Sequence, residues 1–584
     1  MTAEEVASAD TAEAADEPLV EVEGLTFRYR RGTVPAIRDV SLTVRPGEVV
    51  LVAGPSGCGK STLIRAINGL IPHAYPGELS GVVRVAGTST ADLKLRDIAR
   101  TVGTVLQDPG KQILGATVES ELAFGLENLG TPREEIRATL REMAARAGIE
   151  PLVGRETSAL SGGERQLVAV AGILMMRPHL YVVDEPLANL DPATASRLLT
   201  ILRDIADAGE SVVIVEHRIE EALDLRPDRV LYLEEGEARY LGPVEGFLEI
   251  ADPRNVKLPF DVVLDRARAG ALVDDQPAVT REPHAARAAG MDDGSPRLEF
   301  RDVEASIGDH PVLHGVDASL GRTEIVAVLG PNGSGKTTLF RTAMRLLPIT
   351  AGTILVDGGD SATRTTADLA AVFGYVFQSP SQMLFARTVR DELLFGPRNL
   401  GRDPAEFDAL IDDVLRRTAL ADIDGIRDRP PLALSFGQQK RLALAIALAL
   451  RPSTLILDEP SSGQDHRTAE AFIREVLAIP GLESVYLITH DVDLALTHAD
   501  RILLFRDGRI VADGPPRDVI SDTDRWIECN LRPTSLMRAN ARWGDREQGF
   551  LDAGSLARRI VSRERGGHPG VEGGTSSNLA GLAD

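Results

Sequence analysis

The sequence predicts an α/β fold built twice along one chain, each copy a largely parallel sheet covered by helices. Three observations predict it. GPSGCGKST at 54–62 returns as GPNGSGKTT at 330–338. LSGGERQ from Leu160 returns as LSFGQQK from Leu434, VVDEP from Val182 as ILDEP from Ile456, and VEH ending at His217 as ITH ending at His490, in one order and about 275 residues apart. Short β-branched runs (VVLVAG, LYVVD, TLILD, SVVIVEH, VYLITH) lead straight into these motifs, the pattern of buried parallel strands followed by helices.

Length and composition bound the reading. At about 150 residues per domain, 584 residues would make roughly four domains, and the duplication replaces these with two large units. Apolar residues make up 43%, charged residues 26%, and the net charge is −23. This fits a globular chain and disfavours a nucleic-acid partner held by phosphate neutralisation. Two cysteines, Cys58 and Cys529, cannot form a disulfide framework and point to a reducing compartment. The acidic N-terminus lacks the basic start and apolar stretch of a secretory signal, and the longest clean apolar run, 442–450, falls short of the about 18 to 20 residues of a spanning helix. A membrane role therefore needs its spans from another chain. The expected layout is a disordered tail at 1–17, a first domain at 18–251, an aperiodic linker at 252–295, a second domain at 296–525, and a partly disordered C-terminal extension at 526–584.

Each element of the repeat has a chemical reason. A strand entering GxxxxGK[ST] is a phosphate-binding loop: glycines let backbone N–H groups close around phosphates, and the next helix turns its positive end toward them. The first copy offers Gly54, Ser56, Gly57, Cys58, Gly59, Lys60, Ser61 and Thr62; the second offers Gly330, Asn332, Gly333, Ser334, Gly335, Lys336, Thr337 and Thr338. Lys60 and Lys336 are placed to reach the β and γ phosphates, and Ser61 and Thr337 to ligate Mg²⁺. Asp184-Glu185 and Asp458-Glu459 end apolar runs, at the strand ends where open α/β sheets bind ligands. The aspartates suit the Mg²⁺ shell, and the glutamates are placed to polarise an attacking water. Cys58 lies where a helix N-terminus would favour its thiolate.

Together these residues resemble the ATP-binding-cassette ATPases. Gln107 and Gln378, the signature serines Ser161 and Ser435, the acidic pairs, the loop aspartates Asp191 and Asp465, and His217 and His490 stand in that family's order in both copies, over about 450 residues. The resemblance implies ATP and Mg²⁺ as ligands, two tandem P-loop NTPase domains each with a helical signature subdomain, and catalytic roles for Glu185, Glu459, His217 and His490. It implies Mg²⁺ held by Ser61, Gln107 and Asp184 in one site and by Thr337, Gln378 and Asp458 in the other. It also implies that the copies close head to tail as an intramolecular pseudo-dimer. One composite site then joins Lys60, Gln107, Asp184, Glu185 and His217 to Ser435 and Gly437. The other joins Lys336, Gln378, Asp458, Glu459 and His490 to Ser161 and Gly163, with Gly162 between them. A glycine-flanked serine at a helix start offers a hydroxyl, backbone N–H groups and a dipole to a γ-phosphate. Tyr29 matches the family's adenine-stacking aromatic, where the second copy has Ile307, and Phe436 replaces a family glycine, read either as a ring that packs outward or as a cost through a clash or a forced backbone angle.

The segments after the two glutamines, QDPGKQILGATVESELAFGLENLG and QSPSQMLFARTVRDELLFGPRNLG, are similar to those of the energy-coupling factor importers of vitamins and transition metals. There the segment holds the coupling helices of a transmembrane subunit. Gln112 matches that family's second glutamine and Met383 departs from it; Ile113, Leu114, Leu384 and Phe385 read either as contacts or as core. The resemblance implies ATP-driven import with a transmembrane coupling subunit and a small membrane substrate-binding subunit, and a peripheral place on the cytoplasmic face of the membrane. The alternatives are an ATPase of another transporter class and a soluble ribosome-associated twin-cassette ATPase. The latter typically has a long basic helical linker, whereas 252–295 is poor in lysine and contains several prolines. The locally basic stretch 526–565 reads as a solvated tail or a short helix packed on the second copy, with a membrane-surface or partner contact as the alternative.

Overall fold

The computed structural model describes residues 17–30, 32–188, 190–271, 295–544 and 549–565. The expected tail at 1–16, most of the linker (272–294) and the Gly- and Ser-rich end (566–584) lie outside the described residues.

The first copy opens with β1 (Val20–Tyr29) and β2 (Ile37–Val44), followed by β3 (Val49–Ala53), which runs into the phosphate loop and α1 (Lys60–Ile67). Next come β4 (Gly77–Val85), β5 (Thr88–Ser89), β6 (Val102–Val105), and the helices α2 (Val118–Leu129), α3 (Arg133–Ala147) and α4 (Gly162–Leu174). The copy closes through β7 (Leu180–Asp184), α5 (Pro192–Asp207), β8 (Ser211–Val215), β9 (Arg229–Glu234), β10 (Glu237–Gly242) and α6 (Phe260–Arg268). Its main sheet has the order β10-β9-β3-β8-β7-β6, and β10 is the antiparallel edge. Every residue of β3, β7 and β8 is buried, which is why these strands read as unbroken apolar runs. On β3 the alternation separates two cores: Val49, Leu51 and Ala53 face the helices, while Val50 and Val52 face a second sheet.

That second sheet, antiparallel in the order β2-β1-β4-β5, goes beyond the largely parallel expectation. VEVEGLTFRY carries the alternation of a half-buried strand, burying Val20, Val22, Leu25 and Phe27.

The second copy repeats the plan. An antiparallel sheet of β11 (Pro296–Ile307), β12 (His310–Gly321), β14 (Ala351–Val356) and β15 (Gly359–Asp360) has the order β12-β11-β14-β15. The main sheet holds β13 (Ile325–Leu329), β16 (Phe373–Val376), β17 (Thr454–Asp458), β18 (Ser484–Ile488), β19 (Arg501–Arg506) and β20 (Arg509–Gly514), ordered β16-β17-β18-β13-β19-β20. Its principal helices are α7 (Lys336–Ala343), α8 (Val389–Asn399), α9 (Phe436–Ala449) and α10 (His466–Leu477).

Two regions differ from expectation. Residues 252–271 are folded, and α6 pairs with α11 (Ser535–Trp543) and α12 (Ala553–Arg565) of the C-terminal extension. The extension divides between the copies: Trp526, Cys529 and Leu531 join the second copy's core, as does Met537, whereas Leu536, Leu556, Ala557, Ile560 and Val561 enter the first copy's core beside Phe260, Val263 and Leu264. The physical reason is amphipathicity. Leu556 and Ile560 stand four residues apart in SLARRIVSRER, so one apolar stripe is buried and the arginines occupy the other faces. Polar contacts secure the join: Ser535 N donates to Glu220 Oε1 at 2.8 Å, Phe260 N donates to Ser535 Oγ at 2.8 Å, and Arg532 pairs with Asp224.

Candidate functional site

A cavity of about 1170 Å³ lies between the two copies. It is lined by Tyr29, Lys60, Ser61, Gln107 and Glu185 of the first copy with Phe436 and Gly463 of the second, and by Ile307, Lys336, Thr337, Gln378 and Glu459 of the second with Ser161 and Gly162 of the first. Each phosphate loop therefore faces the signature of the other copy. His217 and His490 line a smaller cavity of about 100 Å³ behind the glutamates.

The loops take their shape from glycine. Gly54 and Gly330 have φ of 146° and 153°, and a Cβ there would lie 2.2 Å from the Leu233 and Phe505 carbonyl oxygens respectively. Gly59 and Gly335, at φ of 105° and 103°, start α1 and α7. Lys60 Nζ donates to the Gly54 and Pro55 carbonyls at 2.8 and 2.9 Å; Lys336 Nζ donates to those of Gly330 and Pro331 at 2.7 and 2.8 Å. Both ammonium groups are thus folded over their own loops. Thr62 and Thr338 are buried on the first turns of these helices. Cys58 departs from expectation: burial pushes its thiol up, outweighing the charge of Lys60, so the loop shields it instead of activating it.

The acidic pairs form the centre. In the first copy Gln107 Nε2 donates to Glu185 Oε2 at 2.5 Å and His217 Nε2 lies 2.7 Å from Glu185 Oε1. In the second, His490 Nδ1 lies 2.7 Å from Glu459 Oε2. Burial acts to raise both glutamates, but their histidines, with Lys60 or Lys336 adding charge, hold them below the ordinary carboxylate range. Asp184 goes the other way, pushed up to about 6 by burial and then by the charge of Glu185. Its neighbour Ser61 hydrogen-bonds it, yet Asp184 Oδ1 is buried without a hydrogen-bond partner. A divalent cation at that oxygen would satisfy it, so the donor set fits Mg²⁺. Asp458 is better satisfied: Thr337 Oγ1 donates at 3.0 Å and the Tyr375 hydroxyl at 2.8 Å. The first copy has Thr104 in place of Tyr375, a difference the sequence reading missed because only the fold aims that hydroxyl at the aspartate.

The two signatures are helix caps. Ser161 accepts from Glu164 N at 3.3 Å and its own N–H donates to Glu164 Oε2 at 2.7 Å; Ser435 and Gln438 repeat the exchange at 3.4 and 3.0 Å. Of the two readings of Phe436 the structure favours the outward-packing ring, half exposed, over a clash or a forced backbone angle. A Cβ at its counterpart Gly162 would meet nothing within 4 Å, and the Phe436 ring lies against Gly463 and near Gln107. Gly437 and Gly162 are similarly open, while Gly163 packs near Thr194.

The loop aspartates cross between the copies. Asp465 Oδ2 accepts from Ser56 N at 2.9 Å, and Asp191 Oδ2 accepts from Asn332 N at 3.4 Å. Each also caps its own helix, through Thr468 N at 2.8 Å and Thr194 N at 3.0 Å. For an adenine, Tyr29 presents a ring fixed by Arg65, whose guanidinium donates to its hydroxyl at 2.7 Å, whereas Ile307 presents an exposed aliphatic surface.

The segments after Gln107 and Gln378 separate into core and surface. Leu384 is buried at 6% exposure and Ile113 packs on the core, whereas Leu114 and Phe385 are 70% and 65% exposed. Leu114 and Phe385 occupy matching positions, seven residues after their glutamines. Two buried glutamates hold them out: Glu121 accepts from Leu114 N and Gly115 N at 2.8 and 2.7 Å, and Glu392 accepts from Phe385 N and Ala386 N at 2.9 and 2.8 Å. ESELAFG and RDELLFG carried this signal as a shared carboxylate three residues before a phenylalanine. Phe395 stacks edge-on against Phe385, their ring centres 4.8 Å apart.

Comparison with known proteins agrees with this arrangement. The profile of the ABC transporter family matches residues 37–188 and 313–462. An ABC transporter ATP-binding protein of Methanosarcina acetivorans is 34% identical, over 88% of this chain and 89% of its own length. One of Vibrio vulnificus is also 34% identical, over 94% of this chain and 99% of its own. Among solved structures, cbiO1 from Clostridium perfringens, part of the ABC transporter complex cbiONQ, is 30% identical and covers 41% of this chain and 96% of its own, with a TM-score of 0.36.

Proposed function

This chain belongs to the ABC transporter family as a double-cassette ATP-binding ATPase, and from that premise we propose that it powers import of a vitamin or transition-metal ion through a separate transmembrane coupling subunit. Each ATP is held between one copy's phosphate loop and the other copy's signature. Lys60 and Lys336 leave their loop carbonyls to bind the β and γ phosphates, and Ser435 or Ser161 meets the γ-phosphate from the opposite side. Ser61, Gln107 and Asp184, and likewise Thr337, Gln378 and Asp458, are the residues to hold Mg²⁺, which when bound neutralises charge on the phosphates. Glu185 and Glu459, kept ionised by their histidines, orient and polarise the attacking water, while His217 and His490 hold each glutamate in place.

One observation carries the transport reading: the matched, exposed Leu114 and Phe385, one on each copy in the segment after Gln107 or Gln378 and each held out by a buried glutamate. Exposed apolar side chains placed twice in equivalent positions suit a partner with two equivalent docking elements. No helix among the described residues is long and apolar enough to cross a membrane, so in this reading the coupling subunit and a small membrane substrate-binding subunit are other chains, and this one sits peripherally on the cytoplasmic face. Closure around ATP would then move the two docking points together as rigid bodies. The test is copurification. Leu114→Glu with Phe385→Glu should release a membrane partner from pull-downs while ATP binding persists. Retained membrane partners would refute the docking, and ribonuclease-sensitive association with ribosomes would replace the transport reading.

A further inference from the structure

Lys440 stands on the first turns of α9, where the first copy has Gln166. It is only 4% exposed, and its Nζ donates to the carbonyls of Pro460 at 2.7 Å and Ser462 at 2.5 Å. These carbonyls belong to the turn directly after Glu459. The ammonium also lies 5.3 Å from the centre of the Phe436 ring, and that ring packs on Gly463 of the same turn. A buried cation is costly unless hydrogen-bonded; two carbonyls and an aromatic face offset part of that cost, although burial still pulls the Lys440 ammonium down to about 7. The first copy differs: Gln166 is equally buried, but its Nε2 finds no hydrogen-bond partner among the described residues. Gly162 stands in place of Phe436, and Asn189 is the sequence counterpart of Gly463.

The anchored turn has consequences at both of its ends. Glu459 precedes it and belongs to the Lys336 site. Asp465 ends it and reaches the phosphate loop of the Lys60 site through Ser56 N at 2.9 Å, against 3.4 Å for the equivalent Asp191 contact to Asn332 N. The helix that carries Lys440 starts at Ser435, which caps the Lys60 site. One side chain therefore connects the signature of one site to the glutamate of the other.

We propose that Lys440 is a positioning residue that couples the two composite sites in one direction, making closure of the signature over Lys60 and alignment of Glu459 at the Lys336 site a single movement. The inference rests on the composite-site reading. Lys440→Met keeps the bulk and removes the donors; Lys440→Gln installs the residue of the first copy. Each is measured in two backgrounds: Glu185→Gln, which leaves the Lys336 site to hydrolyse ATP, and Glu459→Gln, which leaves the Lys60 site. In the first background kcat should fall about fivefold with KM for ATP changed by less than about twofold, the scale of one lost hydrogen-bonding group. In the second, KM should rise about fivefold because the Asp465 contact is loosened, with a smaller change in kcat. If Lys440→Met fails to fold, Lys440→Gln decides the matter, since the same scaffold already tolerates glutamine in the first copy. A fall in kcat of the same size in both backgrounds, or no change in either, would overturn the proposal. Undiminished hydrolysis in the Glu185→Gln/Glu459→Gln chain would instead overturn the site reading on which it stands.

Discussion

Lys257→Met removes the cation from a cluster that joins the two copies beside His490. The Lys257 Nζ lies 2.7 Å from Asp493 Oδ2 and 3.6 Å from Asp491 Oδ1, and the Thr534 hydroxyl donates to Asp493 Oδ1. Burial acts to raise the Asp491 carboxyl, but the Lys257 charge, helped by a backbone hydrogen bond and two histidines, holds it at about 2 against an ordinary 3.8. The difference between 3.8 and about 2 corresponds to about 2.5 kcal/mol in favour of the ionised carboxyl, a net effect that Lys257 leads and shares with the backbone hydrogen bond and the histidines. The lysine side chain keeps 26% of its surface exposed, so screening lowers the expected cost to about 2 kcal/mol. The folded value lies below the unfolded one, so this stabilisation is complete above about pH 4 and is lost as pH falls toward 2. The assay is urea unfolding of the full chain at pH 7.5, followed through Trp526 and Trp543, both of which lie in the C-terminal segment. The single variant should lose about 2 kcal/mol, and adding Asp493→Asn should recover half or more, because it removes a carboxylate left without its cation. A cost below about 0.5 kcal/mol, or two costs that simply add, would refute the reasoning.

Four further outcomes are expected. Replacing both Glu185 and Glu459 with Gln should preserve ATP binding and cut turnover at least about tenfold, read by nucleotide binding and phosphate release side by side. Tyr375→Phe should leave Asp458 one donor short and raise the Mg²⁺ concentration needed at the Lys336 site about threefold to tenfold, with Mn²⁺ binding as a readout independent of turnover. Tyr29→Ala should weaken ATP binding at its site by about 1 kcal/mol, more than Ile307→Ala does at the other, as a fluorescent nucleotide titration would register. Ile560→Ala, deep in the first copy's core, should destabilise that copy by about 2 to 4 kcal/mol although it lies in the C-terminal extension, and protease sensitivity around 252–271 should rise with it.

What was legible in the sequence was local chemistry. A phosphate loop, an acidic pair at a strand end and a capping serine each declare themselves within a few residues, and the repeat doubled every signal. The head-to-tail meeting of the copies came from resemblance, and the cross-copy contacts of Asp465 with Ser56 and of Asp191 with Asn332 accord with it. The features that escaped depend on which way the chain turns after a motif. Leu384 and Phe385 are adjacent apolar residues, and only the turn held by Glu392 sends one inward and the other out. Lys440 sits in the polar stretch QQKR just before a helical apolar run as an ordinary-looking charge, and its carbonyl partners lie about twenty residues away. The C-terminal helices looked like a basic tail because their arginines are as many as the apolar positions that do the packing and are spread between them.

The central claim is that each ATP site is shared between the copies, and single-turnover ATP hydrolysis in paired variants tests it most directly. Ser435→Glu places a charge against phosphate in the signature that serves Lys60. Combined with Glu185→Gln, it damages one composite site twice and should leave the Lys336 site hydrolysing, slowed by at most about fivefold relative to Glu185→Gln alone through the Lys440 link. Combined with Glu459→Gln, it damages both sites and should abolish hydrolysis. The reverse pattern, with activity surviving in Ser435→Glu/Glu459→Gln and lost in Ser435→Glu/Glu185→Gln, would mean that each copy works as a self-contained site and would contradict the account.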